Sequence, residues 1–109
     1  MQHFGVSFVL YIIMPRYQVT IQFDMTEAFM KLVPEHRIYI NQLINKSVIE
    51  HYAVSLESKR SWITIIAESK AEVEQILSHS PLSSFWTFEI DELFVLDGQH
   101  YRLPELNLN

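Results

Sequence analysis

His51, Glu89, Asp91 and His36 are the residues of this chain whose chemistry suits proton transfer. Moving a proton alpha to a carbonyl needs a base of suitable pKa, an acid to return the proton, and donors for the enolate-like charge. Imidazole titrates near neutrality, so His51, in the alternating stretch VIEHYAVSL, is the first candidate base. Glu89 and Asp91 stand two apart in PLSSFWTFEIDEL, residues 81 to 93, and share one face if that stretch is a strand. They could serve as base and orienter where a dry surrounding raises one carboxyl pKa. The competing reading of His51 is a surface or hydrogen-bonded histidine on an edge strand, and that of the two carboxylates a solvated strand face or an interface ion pair. Beside His36, Arg37 could hold a substrate carboxylate through two parallel hydrogen bonds, although this pair also suits the surface of a helix start. Tyr52 could donate to a ligand carbonyl, and Trp62 could wall the substrate, though such aromatic side chains more often serve packing.

Other chemistries are excluded by what is missing. With no cysteine, the chain has no disulfide framework, thiolate zinc site or cysteine nucleophile. Two glycines cannot build a glycine-rich phosphate loop, and the G-x-S-x-G turn of a serine hydrolase is absent. His79 and His100 have no partner at metal-ligand spacing, so neither a metal nor a cofactor is expected. The formal net charge is −5 with no cluster of Lys and Arg, which argues against a nucleic-acid partner.

These candidates need elements to hold them. A chain of 109 residues, 49% hydrophobic and 19% charged, is long enough for one packed core, and some of its apolar surface is expected to meet another subunit. The apolar run within HFGVSFVLYIIM, residues 3 to 14, falls short of the about 20 residues that span a bilayer, and it lacks the flanks of a signal peptide. Residues 1 to 13 are therefore expected to be an extension, residues 14 to 96 the domain, and residues 97 to 109 a tail without periodicity. A cytoplasmic protein fits.

Tyr17, Val19, Ile21 and Phe23 alternate with Gln18, Thr20 and Gln22, which predicts a first strand wet on one side. Pro34 suits a first helical turn, and Ile40, Leu43 and Ile44 continue at helical spacing to an end near Ser47. VIEHYAVSL and SWITIIAES, joined by ESKR, predict an antiparallel hairpin. Ser69-Lys70-Ala71-Glu72 is a capping box for a second helix that Pro81 closes, and residues 85 to 95 make a fourth strand. The order β-α-β-β-α-β is the split ferredoxin-like arrangement, an antiparallel four-stranded α+β sheet with both helices on one face. By parity the other face carries Gln18, Thr20, Gln22, His51, Ala53, Ser55, Trp62, Thr64, Thr87, Glu89 and Asp91. Strands two and four are the sheet edges, so His51 and Glu89 would lie about 14 Å apart at roughly 4.8 Å per strand.

At this point the residues resemble a family. Pro81, Leu82, Phe85, Glu89, Ile90, Asp91 and Leu93 are similar to the closing motif of muconolactone isomerase and its small relatives, and MPRYQVTIQF resembles that family's opening strand. His36 with the strand that follows its helix also resembles the YCII-like branch of the same superfamily. The resemblance covers roughly residues 14 to 95. It implies a dimeric α+β barrel and a cofactor-free isomerase moving a proton on a small unsaturated lactone, in a cytoplasmic homodimer or higher homo-oligomer. Two other readings stand beside it: a non-catalytic, ligand-binding or structural member of the superfamily, and a monooxygenase-like relative that holds an aromatic substrate or haem.

Overall fold

The structure is a computed structural model, and it describes residues 14–98. The expectations for the extension at residues 1 to 13 and for the tail beyond residue 98 lie outside the described residues. The domain runs β1 (Arg16–Phe23), α1 (Glu27–Asn45), β2 (Ile49–Ser55), β3 (Arg60–Ile66), α2 (Lys70–Ser78), a short 3-10 turn (Ser83–Phe85) and β4 (Trp86–Leu93). All strand pairs are antiparallel in the order β2-β3-β1-β4, which is the ferredoxin-like α+β fold with β2 and β4 at the edges.

One sheet face is dry because strict alternation puts its apolar residues there. Val19, Ile21 and Ile65 are fully covered, and they pack with Phe29 and Ile40 of α1 and Val73 and Leu77 of α2 in a single core. The other face reproduces the parity expectation as cross-strand rows. His51, Thr64, Gln18 and Asp91 lie abreast, as do Ala53, Trp62, Thr20 and Glu89.

Helix α1 begins seven residues before Pro34, which corrects the expectation that proline opens it. Thr26 is the true cap: its hydroxyl accepts from the Phe29 N–H at 3.1 Å. Phe29 and Val33 then extend the apolar stripe backwards at helical spacing. Pro34 sits inside the helix on its exposed side, where water can serve the carbonyl one turn back that loses its N–H partner. At the other end Ser47 takes a left-handed φ of 63°, and the Val48 N–H reaches back to the Leu43 carbonyl at 2.9 Å, closing the helix just before β2.

The capping box of α2 forms with one difference. Ser69 Oγ accepts from the Glu72 N–H at 3.2 Å, while the Glu72 carboxylate accepts from the Glu68 N–H at 2.7 Å, one residue earlier than a standard box. Helix α2 ends at Ser78, ahead of Pro81, and the fourth strand is 86–93 rather than 85–95 because Phe85 closes the 3-10 turn.

Candidate functional site

The sheet divides the residues singled out from the sequence into two groups that no one small ligand can touch. His51, Trp62, Glu89 and Asp91 stand on the helix-free face. His51 and Asp91 occupy the two edges of one row, three strand spacings or about 14 Å apart. Both are exposed, as is Glu89, and Trp62 fills the middle of the next row. Glu50 adds to this face through a bulge in β2 between Ile49 and His51. It grips Arg16 of β1 with two hydrogen bonds, at 2.8 and 3.1 Å, across the strand between them.

His36, Arg37 and Tyr52 lie on the covered side, where they do meet. Helix α1 turns the His36 ring inward until it is only 3% exposed, contrary to the surface position expected of a helix start. The physical reason is the earlier start of α1: His36 falls mid-helix on the buried stripe, four residues before Ile40. Its Nδ1 is 2.8 Å from Ser80 Oγ and its Nε2 is 2.9 Å from the Tyr52 hydroxyl. The Trp86 ring meets it edge-on at 5.5 Å. The Arg37 guanidinium stands 5.4 Å over the Tyr52 ring.

Three elements position this cluster. Helix α1 presents His36 and Arg37 as neighbours at its middle, β2 brings Tyr52 inward opposite Ile63, and the turn after α2 delivers Ser80. That turn is held by Ser80 itself, whose Oγ accepts from the Leu82 N–H at 3.0 Å across Pro81.

The cluster forms part of the wall of a cavity of about 200 Å³. Phe23, Phe29, Val33 and Leu82 make the wall mainly apolar, and Phe29 stacks on Phe23 at 5.1 Å. Met25, Met30, Val54 and Leu56 line it as well, although each is at least 39% exposed. Large apolar side chains left this open around one depression are a recurrent feature of ligand and partner sites. The volume lies below the roughly 300–1,000 Å³ of drug-sized pockets, which limits any occupant to a small molecule.

Burial sets the protonation state. It lowers the His36 pKa to about 4, with the neighbouring Arg37 charge adding to the effect, so the imidazole is neutral at pH 7. Burial also raises the Tyr52 pKa, against the opposing pull of Arg37, so the phenol keeps its proton. A neutral imidazole with so low a pKa is a poor base at neutral pH but a competent hydrogen-bond partner for the phenol. Tyr52 and Arg37 both line the cavity, and each can donate a hydrogen bond.

Both His36 nitrogens are engaged by protein groups, which leaves no open axial position for a haem iron on that ring. Among the described residues no three His, Asp or Glu side chains gather to hold a metal ion, and no helix is long and apolar enough to cross a membrane. Sequence reasoning missed Ser80 and the part played by Trp86. Ser80 precedes a proline after a helix and reads only as turn chemistry, and Trp86 reads as packing. Comparison with protein-family models gives no match, and neither does comparison with curated proteins.

Proposed function

We propose that this chain is a small cofactor-independent enzyme, acting on an unsaturated lactone or related carbonyl compound, with its site in the cavity beneath α1. The observation that carries the proposal is the buried chain Ser80, His36, Tyr52, which ends at an apolar cavity beside Arg37. Proton transfer next to a carbonyl is limited by the charge that develops on oxygen, and preorganised donors in a dry site lower that cost most. Tyr52 and Arg37 are such donors, and neutral His36 holds the phenol in place from behind. The resemblance of PLSSFWTFEIDEL and MPRYQVTIQF to the muconolactone isomerase family is the second support, and it suggests the direction of the chemistry.

The test is exchange of carbon-bound hydrogen into D2O, followed by proton NMR on five-membered unsaturated lactones and cyclic enones. The expected result is exchange faster than buffer, reduced about 100-fold in Tyr52→Phe. Exchange at the buffer rate across the panel sinks the catalytic reading.

A second reading, binding without turnover, is favoured by one observation: no carboxylate lines the cavity wall, so the base would have to be water or a carboxylate of the ligand. Saturable binding of the same compounds without exchange is its signature. In either reading we propose that two copies pair through the helix-free faces as a dimeric α+β barrel. Support comes from Trp62 at the middle of that face and from Thr64, which is buried there at 4% exposure. Sedimentation equilibrium of the wild type and Trp62→Glu tests the pairing, and a monomer at all concentrations ends it.

A further inference from the structure

Neutral His36 has two tautomers, and they run the buried chain of hydrogen bonds in opposite directions. The Ser80 end decides between them. Its Oγ already accepts from the Leu82 N–H. If Nδ1 carried a hydrogen as well, Ser80 would accept twice, and its own hydroxyl hydrogen would face a surrounding in which the residue is 4% exposed. The side-chain partners of Ser80 are the Leu82 N–H, a donor, and His36 Nδ1, so no second acceptor is offered. A buried donor left without an acceptor forfeits its hydration for nothing.

The arrangement that uses every group has the Ser80 hydroxyl donating to Nδ1. Nε2 then carries the hydrogen and donates it to the Tyr52 oxygen at 2.9 Å. Arg37, which stands over the Tyr52 ring, offers that phenol no acceptor, because a guanidinium cannot accept. With its oxygen taken by the Nε2 hydrogen, the phenol has its own hydrogen left for the cavity that it lines.

We infer that Ser80, through the tautomer it imposes on His36, makes Tyr52 a one-way hydrogen-bond donor, and that the cavity therefore selects ligands presenting a carbonyl or carboxylate oxygen over ligands presenting an N–H. This rests on reading the cavity as a ligand site and not on turnover. Ser80 is a positioning residue that never touches the ligand. The same logic assigns the site to the oxyanion side of a carbonyl reaction and gives His36 no part as a base.

The direct test is long-range proton–nitrogen NMR of the full chain with 15N-labelled histidine at pH 7, with His36 assigned by its loss in His36→Gln. The expected pattern is a protonated Nε2 and a bare Nδ1; the reverse pattern, or an even mixture, overturns the inference. This measurement uses the unaltered chain, so it stands whether or not any variant folds.

The ligand half uses two five-membered rings as probes in chemical-shift titrations: 2-cyclopentenone, which only accepts, and pyrrole, which donates through N–H. Cyclopentenone should bind at least about tenfold tighter. That preference should collapse in Ser80→Ala, where Tyr52 can turn its hydrogen to Nε2, and return in Ser80→Thr, which keeps the hydroxyl. Equal binding of the two rings to the wild type, or a preference unchanged in Ser80→Ala, overturns the proposal. If Nε2 is protonated and neither ring binds, the ligand claim falls with the reading of the cavity, and the tautomer assignment stands alone. If a ring binds while Nδ1 carries the hydrogen, the site reading survives and the inference fails.

Discussion

The two faces of the sheet carry polar residues of similar kinds to different ends. On the helix-free face His51, Glu89 and Asp91 are exposed. There, water screens each charge from its neighbours. On the covered face one histidine is sealed under α1, loses its readiness to take a proton, and is held between two hydroxyls. Position relative to the helices, and not residue type, separates a candidate site from a wet surface. The strand alternation that sends His51 outward and Tyr52 inward is one residue wide, so a single step along β2 crosses from one regime to the other.

The largest expected effect tests how different the two faces are energetically. Ile63 and Trp62 are neighbours on β3, the first 1% exposed under the helices and the second on the helix-free side. Ile63→Ala should cost about 3 kcal/mol, from lost burial and the cavity left behind, and lower Tm by roughly 15 °C. Trp62→Ala should cost about 1 kcal/mol in dilute monomer, because its ring stays partly in water. Thermal unfolding of both variants over a range of protein concentrations reads the contrast. Equal losses that grow with concentration would mean that a second copy covers Trp62, and the difference between the faces would then belong to the monomer alone.

His36 supplies the next effect. Its folded pKa of about 4 lies below the ordinary value of 6.5. Between those values the unfolded chain binds a proton that the folded chain refuses, so stability rises with pH there. The contribution is complete above about pH 6.5, falls as pH drops, and levels off below about pH 4; its span is on the order of 2 kcal/mol after allowance for solvent screening. The Arg37 charge also disfavours a protonated ring, and Tyr52 stays protonated throughout this window. Urea unfolding at pH 7 and pH 4.5 should show a steeper loss in the wild type than in His36→Gln. Parallel losses would place His36 among the solvent-accessible histidines and remove the distinction between the faces.

Much of the fold was legible because period-two alternation survives in β1, β3 and β4 and in β2 beyond its bulge at Glu50. The row His51, Thr64, Gln18, Asp91 follows from parity alone, and register merely aligns it. Helix α1 was harder. Pro34 is a strong local signal for a first turn, and Thr26 is a weak one, yet tertiary packing of Phe29 outweighs the missing N–H at Pro34. The site was legible only in pieces. His36, Arg37 and Tyr52 each read as candidates, but the contact that unites them spans 16 residues to Tyr52 and 44 to Ser80, and no periodicity links such distant positions. The carboxylates of FEIDEL attracted attention because residue type is visible in a sequence and dryness is not.

The bulge at Glu50 offers a smaller way to sharpen the contrast, since it puts one well-held charge pair on the face that is otherwise wet. Arg16 and Glu50 side chains are 13% and 14% exposed, whereas Lys31 and Glu27 on α1 form a loose pair at 3.9 Å with 75% and 90% exposure. Glu50→Gln should cost about 1–2 kcal/mol, because a bidentate grip is lost while the guanidinium stays largely covered. Glu27→Gln should cost less than about 0.5 kcal/mol and lose even that in 1 M salt. Urea midpoints at low and high salt separate the two, and a Glu50→Gln loss that vanishes with salt would make the bulge as wet as its neighbours.

The smallest effect carries the sharpest distinction. Thr64 is the buried polar residue at the centre of the helix-free face, and its hydroxyl donates to Gln18 Oε1 at 2.9 Å. Thr64→Val keeps the shape and removes the donor. If the face meets only water, a water molecule replaces the hydroxyl at the half-buried Gln18, and the cost should be within about 0.5 kcal/mol, as for an exposed hydrogen bond. If a second copy seals the face, the Gln18 oxygen is left unpaired in a dry contact, and the cost rises to about 1–3 kcal/mol and depends on concentration. One conservative substitution therefore reads whether this face is dry in solution. A dry face would bring His51, Glu89 and Asp91 under the same desolvation that now sets His36 apart, and their standing as chemistry would have to be weighed again beside the cavity under α1.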